Sequence, residues 1–281
     1  MRGKKIVQRA VLTVICLFVW LPFLMMAASS LMSEGELLER FGPILSNRTG
    51  SIKPALIPDY PTLRPYVELL LDSPGFFVMF WNSFLQTGAV LLGQVVIATA
   101  AAWAFGIYTF PGKRQLFFLY IILMVLPFQV MQAANYLVLD KLHLIDTHLA
   151  VILPGIFSAF PVFIMTQCFS SIPKSLLEAA RLDGAGELRI FVLVGIPMGF
   201  PGIMAAGILG FLETYNAVEP AMAYLKTRTL WPLSLYLPNI TADKVSVAWA
   251  ASAVAMMPPV LLFLAGQTYL EQGIALSGVK E

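Results

Sequence analysis

Six stretches of this chain contain no Asp, Glu, Lys, Arg or His: Ala10–Ser33, Ser73–Gly112, Gln115–Leu139, Leu149–Pro173, Ile190–Leu212 and Val245–Leu270. Each reaches the roughly 20 residues that an α-helix needs to cross the hydrocarbon core of a bilayer. A core helix of a water-soluble protein carries a polar stripe, and these windows carry none. The pattern predicts an all-α polytopic membrane protein with six spans near 10–32, 82–105, 116–139, 149–170, 190–212 and 247–269. The second run is twice the required length, which places its span at about Asn82 to Phe105 and leaves Pro74–Trp81 as an interfacial lead-in. The first run follows Arg2, Lys4, Lys5 and Arg9, as the core of a secretory signal would. Its apolar stretch exceeds the about 7–15 residues of a signal core, so it reads as an uncleaved anchor.

The composition agrees: 58% hydrophobic, 12% charged and a mean hydropathy of +0.79 lie outside the range of ordinary soluble domains. A net charge of +2 gives no reason to invoke nucleic acid. Positive charge in short loops sets orientation. The N-terminal flank and the short loop with Lys113 and Arg114 are basic without an acid, which with an even number of spans puts both termini in the cytoplasm. The segment with Lys174, Glu178, Arg181 and Arg189 then lies on the same side, and Glu34–Asp72, Asp140–His148 and Glu213–Lys244 lie outside. Pro43, Pro54, Pro58, Pro61 and Pro65 argue for an irregular first outer segment rather than a separate domain. No fixed-period repeat interrupts the chain, so residues 1–281 read as one membrane domain. Cys16 and Cys168 fall within spans and read as small apolar residues, not as a disulfide or metal site. Asn47-Arg48-Thr49 and Asn239-Ile240-Thr241 fit a glycosylation sequon, which means little in a bacterial-type protein.

The loop between the fourth and fifth apolar runs is charged and helix-forming. Ser171-Ile172-Pro173 resembles a helix start with proline in the first turn, and Ser175 with Glu178 offers a competing capping box. Leu176 and Ala180 lie one turn apart on one face. Gly184 supplies the left-handed or closely approached position that ends a helix, and Gly186 permits a second bend before Glu187 leads into the next span. Physics alone leaves two readings open: an amphipathic helix lying in the interface without a partner, or a rigid handle for another protein.

The residues of this loop resemble a known signature. Glu178-Ala179-Ala180-Arg181-Leu182-Asp183-Gly184, followed after nine residues by Val194-Gly195-Ile196-Pro197, is similar to the EAA-x3-G-x9-I-x-L-P pattern of membrane subunits of bacterial ABC importers. Glu178, Ala179, Ala180, Gly184 and Pro197 match outright, while Val194 and Ile196 replace Ile and Leu. Further landmarks resemble the shorter six-span subunit of the maltose-type carbohydrate-uptake permeases. They are Pro58-x-x-Pro61-Thr62-Leu63-x-x-Tyr66, Asn82-Ser83, Phe110-Pro111-Gly112-Lys113, Ser171-Ile172-Pro173-Lys174, Asp183-Gly184-Ala185, Gly273 and Gly278-Val279-Lys280. The resemblance implies the type I importer permease fold and a coupling helix near 173–189, with Glu178, Ala179, Ala180, Arg181, Asp183 and Gly184 contacting an ATPase. It also implies the partners: a second related permease, two ATP-binding subunits and an extracytoplasmic solute-binding protein. Where that family often has Trp-Asn-Glu, this chain has Tyr215-Asn216-Ala217, so any role of that glutamate does not transfer, and the first-loop portion Asn47–Lys53 has no match.

No energy source is encoded here. A phosphate-cradling loop needs G-x-x-x-x-G-K-[ST], and neither Gly3-Lys4 nor Gly112-Lys113 has the required flanking residues. The chain is therefore expected not to be an enzyme, and neither cofactor nor metal is called for. Polar groups inside a membrane are costly and face a wet path or another helix. Gln129, Gln132 and Asn135 spread over one face of the third span, where amides can both donate to and accept from sugar hydroxyls. The alternative is helix–helix hydrogen bonding. Gln86, Gln94 and Gln167 are isolated, and Pro127, Pro154, Pro161 and Pro258-Pro259 are candidate kinks or breaks. An ion-coupled carrier would need an ionisable group in a span core, which is missing, and a non-transporting scaffold would have no ATPase partner. A permease for glycerol phosphate, polyamine or phosphate is the nearer alternative to sugar.

Overall fold

The computed structural model describes residues 2–45, 56–236 and 244–278; both sequons and the tail residues Val279 and Lys280 lie outside them. The chain order is α1 (Arg2–Ser29), α2 (Glu34–Leu45), α3 (Arg64–Leu71), α4 (Pro74–Ile107), α5 (Lys113–Val125), α6 (Phe128–Lys141), α7 (His148–Ile156), α8 (Ala159–Ser170), α9 (Lys174–Leu182), α10 (Glu187–Ile190), a π turn (Phe191–Gly195), α11 (Ile196–Asn216), α12 (Glu219–Tyr224) and α13 (Val245–Gly278). Among the described residues there is no strand. Among the described residues five stretches are long and apolar enough to cross a membrane: Val7–Ser29, Pro74–Ile107, His148–Ser170, Glu187–Asn216 and Val245–Gly273.

The third apolar run, expected as one span near 116–139 with Pro127 as a candidate kink or break, is divided in two. It forms α5 and α6, which meet at 103°. Pro127 has no N–H to continue a helix, and its ring pushes the residue before it out of the helical region. Leu126 accordingly sits at φ −65°, ψ 126°. The same chemistry acts more gently elsewhere: α7 carries Pro154 and ends two residues later, whereas Pro258 and Pro259 lie inside α13 without ending it. Two further expectations need correction. Pro74–Trp81 is no separate lead-in but the opening turns of the 34-residue α4. The first outer segment is not irregular throughout, because it contains α2 and α3, with Pro65 in the first turn of α3, where a missing N–H costs nothing.

The chain forms two compact units, residues 1–78 with 236–257 and residues 79–235 with 258–281. In the first, Ala28, Met32, Leu37 and Val245 form a small buried cluster flanked by Phe41 and Trp249. Polar ties hold its connecting segments. Tyr66 Oη donates to Ser30 Oγ at 2.7 Å, and Thr62 N donates to Leu31 O at 2.8 Å. Arg40 pairs with Glu36 at 3.0 Å and Asp59 at 2.6 Å. The apolar stretch Val7–Leu24 of α1 is exposed, as suits a helix facing lipid or another subunit.

The second unit is built on the seam between α8 and α11. Gly199 and Gly202 of α11 let α8 approach until its side chains fill the glycine sites, and Gly195 in the π turn receives Trp103 of α4 in the same way. A Cβ on Gly202 would lie 2.5 Å from Cys168 Cβ, and one on Gly199 would run into the ring of Phe169. Around this seam Trp103, Phe105, Val162, Met165, Phe169 and Ile190 form the main core. The Trp103 and Phe169 rings meet edge to face at 5.4 Å. A Gly199→Val substitution is expected to destabilise the fold by about 1–3 kcal/mol through overpacking, read as loss of thermal stability in detergent. Gly207→Ala, on the same helix but with nothing within 4 Å of the new Cβ, should leave stability unchanged or slightly raised.

Candidate functional site

Helix α9 begins at Pro173, whose extended ψ of 128° sets the turn out of α8. No side-chain hydrogen bond caps it, so the Ser175–Glu178 capping box does not form and Ser175 lies inside the first turn. The helix is strongly two-faced. Leu177 is buried and Ala180 packs against the same core, while Glu178, Ala179 and Leu182 point away, Leu182 being 89% exposed.

Its end is a Schellman motif: Ala185 N–H donates to Ala180 O at 3.1 Å and Gly184 N–H to Arg181 O at 3.0 Å. Gly184 takes φ +79°, the left-handed region predicted for it, and a Cβ there would meet nothing within 4 Å. The demand on this glycine is therefore conformational rather than a close approach. Gly186 makes the second bend with an ordinary φ of −69°.

Beyond the turn the chain is tied back. Arg181 grips Glu187 with two donors, Nε to Oε1 at 2.8 Å and Nη2 to Oε2 at 3.2 Å. Tyr108, just past the end of α4, donates its hydroxyl to Glu187 Oε2 at 2.7 Å and accepts from Trp103 Nε1 at 3.4 Å. Burial, and then the bond to Glu187, raise the Tyr108 pKa, while the same carboxylate raises that of Arg181. Ile190 is buried in the core that holds Leu177. The helix, the turn and the start of the next span thus form one elbow on the ends of α4 and α8. The residues expected from the sequence, Glu178, Ala179, Ala180, Arg181, Asp183 and Gly184, all lie on this helix and turn, while Glu187 and Tyr108, which tie the turn back, were not among them. The six-residue spacing of Arg181 and Glu187 across a glycine turn was the available signal; nothing local pointed to Tyr108.

The other end of the unit is held by the early residues of α4. Asn82 Nδ2 donates to Thr229 O at 2.7 Å and Trp231 O at 3.0 Å, and Gln86 Nε2 donates to Leu230 O at 2.9 Å. Ser83 Oγ accepts from Leu233 N at 2.7 Å. Asp146 sits at φ +61° and accepts from the backbone N–H groups of Lys226 and Thr227, both at 2.8 Å, and from the Thr227 hydroxyl. Those bonds favour the charged form and hold its carboxyl below the usual range. From Gln86 to Trp103, seventeen residues of helix rise about 26 Å, close to the thickness of a hydrocarbon core.

Gln129, Gln132 and Asn135 lie on α6, away from the elbow. Gln129 Nε2 donates to Glu219 Oε1 at 2.6 Å, a helix–helix bond, while Gln132 and Asn135 are half-buried. Gln94, left isolated by the sequence, donates to Gly155 O at 2.8 Å, a carbonyl at the broken end of α7. Asn216, the matched residue of the Trp-Asn-Glu position, donates to Leu212 O at 2.8 Å within its own helix.

A helical bundle with a cross-membrane seam and a charged elbow at one end defines a transport subunit of the membrane-embedded kind. The description "Binding-protein-dependent transport system inner membrane component" matches residues 94–276, and the chain belongs to that family. It is 30% identical over 279 residues to the osmoprotective compounds uptake permease protein GgtD of Synechocystis sp., covering 96% of this chain and 90% of that protein. It is 26% identical to the arabinooligosaccharides transport system permease protein AraQ of Halalkalibacterium halodurans, covering 87% and 88%. A chain in the crystal structure of a bacterial ABC transporter involved in import of the acidic polysaccharide alginate superimposes with a TM-score of 0.80 at 21% identity, over 95% of this chain and 96% of that one. This protein is thus a membrane component of a binding-protein-dependent transport system.

Glu187→Ala should release the elbow without unfolding the bundle. Hydrogen exchange at amides 183–187 is expected to rise by up to about fivefold, the range open to an exposed pair, and the wild-type difference should shrink at high salt.

Proposed function

We propose that this chain forms half of the path of an ATP-driven sugar or oligosaccharide importer, as a single membrane domain spanning residues 1–281. The proposed complex holds a second related permease, two ATP-binding subunits and an extracytoplasmic solute-binding protein. Both termini and the elbow lie in the cytoplasm, in keeping with Lys113, Arg114, Lys174, Arg181 and Arg189 at that end. The exposed flank of α9 seats in an ATPase subunit through Glu178, Ala179, Arg181 and Asp183, with Ala180 anchoring the helix to its own core and Gly184 setting the turn. The observation that carries the reading is that pairing: an exposed flank with Leu182 bare, on a helix tied at its far end by the Schellman turn and the Arg181–Glu187–Tyr108 chain. A free interfacial helix has no need of that tie. ATP bound between the two ATPases draws two such elbows together and shifts the bundle between its two facing states, by binding one state better than the other.

The relatives named for oligosaccharides support a carbohydrate substrate, and so do Gln132 and Asn135, neutral amides suited to hydroxyls, as candidate path-lining groups with Gln129 held by Glu219. An sn-glycerol-3-phosphate permease protein of Yersinia enterocolitica, 26% identical over 72% of this chain, favours a second reading with a phosphorylated polyol. Uptake of labelled sugars against labelled glycerol phosphate separates the two.

Gly184→Val should leave the protein in the membrane at near-normal level and abolish uptake, because a β-branched residue resists a φ of +79°. Gly184→Asn, which tolerates that region, should retain most transport, and Glu178→Ala should lose less than Gly184→Val. Normal uptake by the valine variant would reduce α9 to an interfacial helix. The purified chain alone should neither bind nor hydrolyse ATP, with activity appearing only when ATP-binding subunits are added; stoichiometric nucleotide binding by this polypeptide would overturn the assignment.

A further inference from the structure

Beside the elbow, α5 and α8 enclose an open cavity of about 580 Å³, well within the size of small-ligand sites. It is not part of the elbow and the transport reading gives it no role. Its floor is aromatic, from Phe105, Phe110 and Phe117, and its rim carries Lys113, Arg114 and Gln167, with no acidic residue in the lining among the described residues. Neither cation takes part in an ion pair among the described residues. Lys113 Nζ gives one hydrogen bond, to Tyr108 O at 2.8 Å, which leaves its charge uncompensated and its other donors available. From Arg114 an apolar stripe descends α5 toward the bilayer through Phe118, Ile122 and Val125, which are 61%, 42% and 72% exposed.

A doubly basic rim, an aromatic floor and an apolar track starting at the rim match one chemistry: a phosphate ester carrying hydrocarbon. We propose that this cavity binds the headgroup of an anionic phospholipid from the leaflet on the elbow side, with phosphate at Lys113 and Arg114 and an acyl chain laid along Phe118, Ile122 and Val125. A basic pocket between membrane helices is the site such lipids use, and each basic group near the surface adds appreciable attraction. Because the floor residues pack in the same core as Leu177 and Ile190, an occupied cavity also braces the elbow.

The test uses the permease assembled with its ATP-binding subunits in nanodiscs of phosphatidylcholine containing a minority of phosphatidylglycerol. Native mass spectrometry of the released complex counts retained phosphatidylglycerol, and co-purification of the ATPase reports assembly separately. Wild type should retain the anionic lipid. Lys113→Gln with Arg114→Gln should weaken retention by roughly 25-fold, about fivefold for each cation. Lys141→Gln, on α6 and outside the cavity lining, should retain it as wild type does. If the double variant does not assemble, Arg114→Gln alone should still show about the fivefold loss. Equal retention by the cavity variants, or an equal loss in Lys141→Gln, overturns the proposal. Displacement of the lipid by millimolar inorganic phosphate or glycerol 3-phosphate would make this a soluble-phosphate site and overturn the lipid assignment.

Discussion

Close contact between α8 and α11 is the constraint on which the second unit depends. Lipid is as apolar as leucine, so helices in a bilayer gain little from hiding apolar surface and must gain from packing instead. Gly199 and Gly202 make that packing possible by leaving room for Phe169 and Cys168, and Gly195 in the π turn leaves room for Trp103 of α4. The aromatic cluster formed there is also the platform on which Leu177 and Ile190 settle. Seam and elbow are thus joined twice, by packed side chains and by the hydrogen bonds from Trp103 through Tyr108 to Glu187.

The polar groups divide the work by depth. Near both ends they bind loops to helices, as Asn82, Ser83 and Gln86 do for residues 229–233, and Tyr108 does for Glu187. Between them, a side-chain amide adds a second bond at the break between α7 and α8: Gly155 O accepts from Ser158 N–H at 3.2 Å and from Gln94 Nε2 at 2.8 Å. In hydrocarbon an unmade backbone bond costs several kcal/mol, so a broken span gains from such a neighbour.

Much of this was legible from the chain. Charge-free length located all six apolar runs, because desolvation of ionised groups is too costly to leave ambiguity. Gly184 was legible because left-handed helix ends have a strong residue preference. Less was visible wherever partners lie far apart in sequence: Tyr108 meets Glu187 across 79 residues, and Asn82 meets Trp231 across 149. Helix α3 was hidden by Pro65, since a proline marks a helix start as readily as a loop, and α2 by Pro43 near its last turn. The sharp turn at Leu126-Pro127 was expected as a break in kind but not in angle, since a proline dictates that the helix yields and its neighbours decide how far.

The π turn at Phe191–Gly195 gives the signature's spacing a mechanical meaning. In a regular α-helix Ile190 and Gly195 would point roughly 140° apart about the axis, at about 100° per residue. Both are buried, one beside the elbow and the other against Trp103. The wider turn absorbs one extra residue and brings the two directions to within about 40° of each other. That residue is an angular adjustment in the stretch between Gly184 and Pro197. Losing it would close the turn to a regular helix, while losing a further one would leave composition and hydropathy almost untouched yet turn the elbow by about 100° relative to the seam.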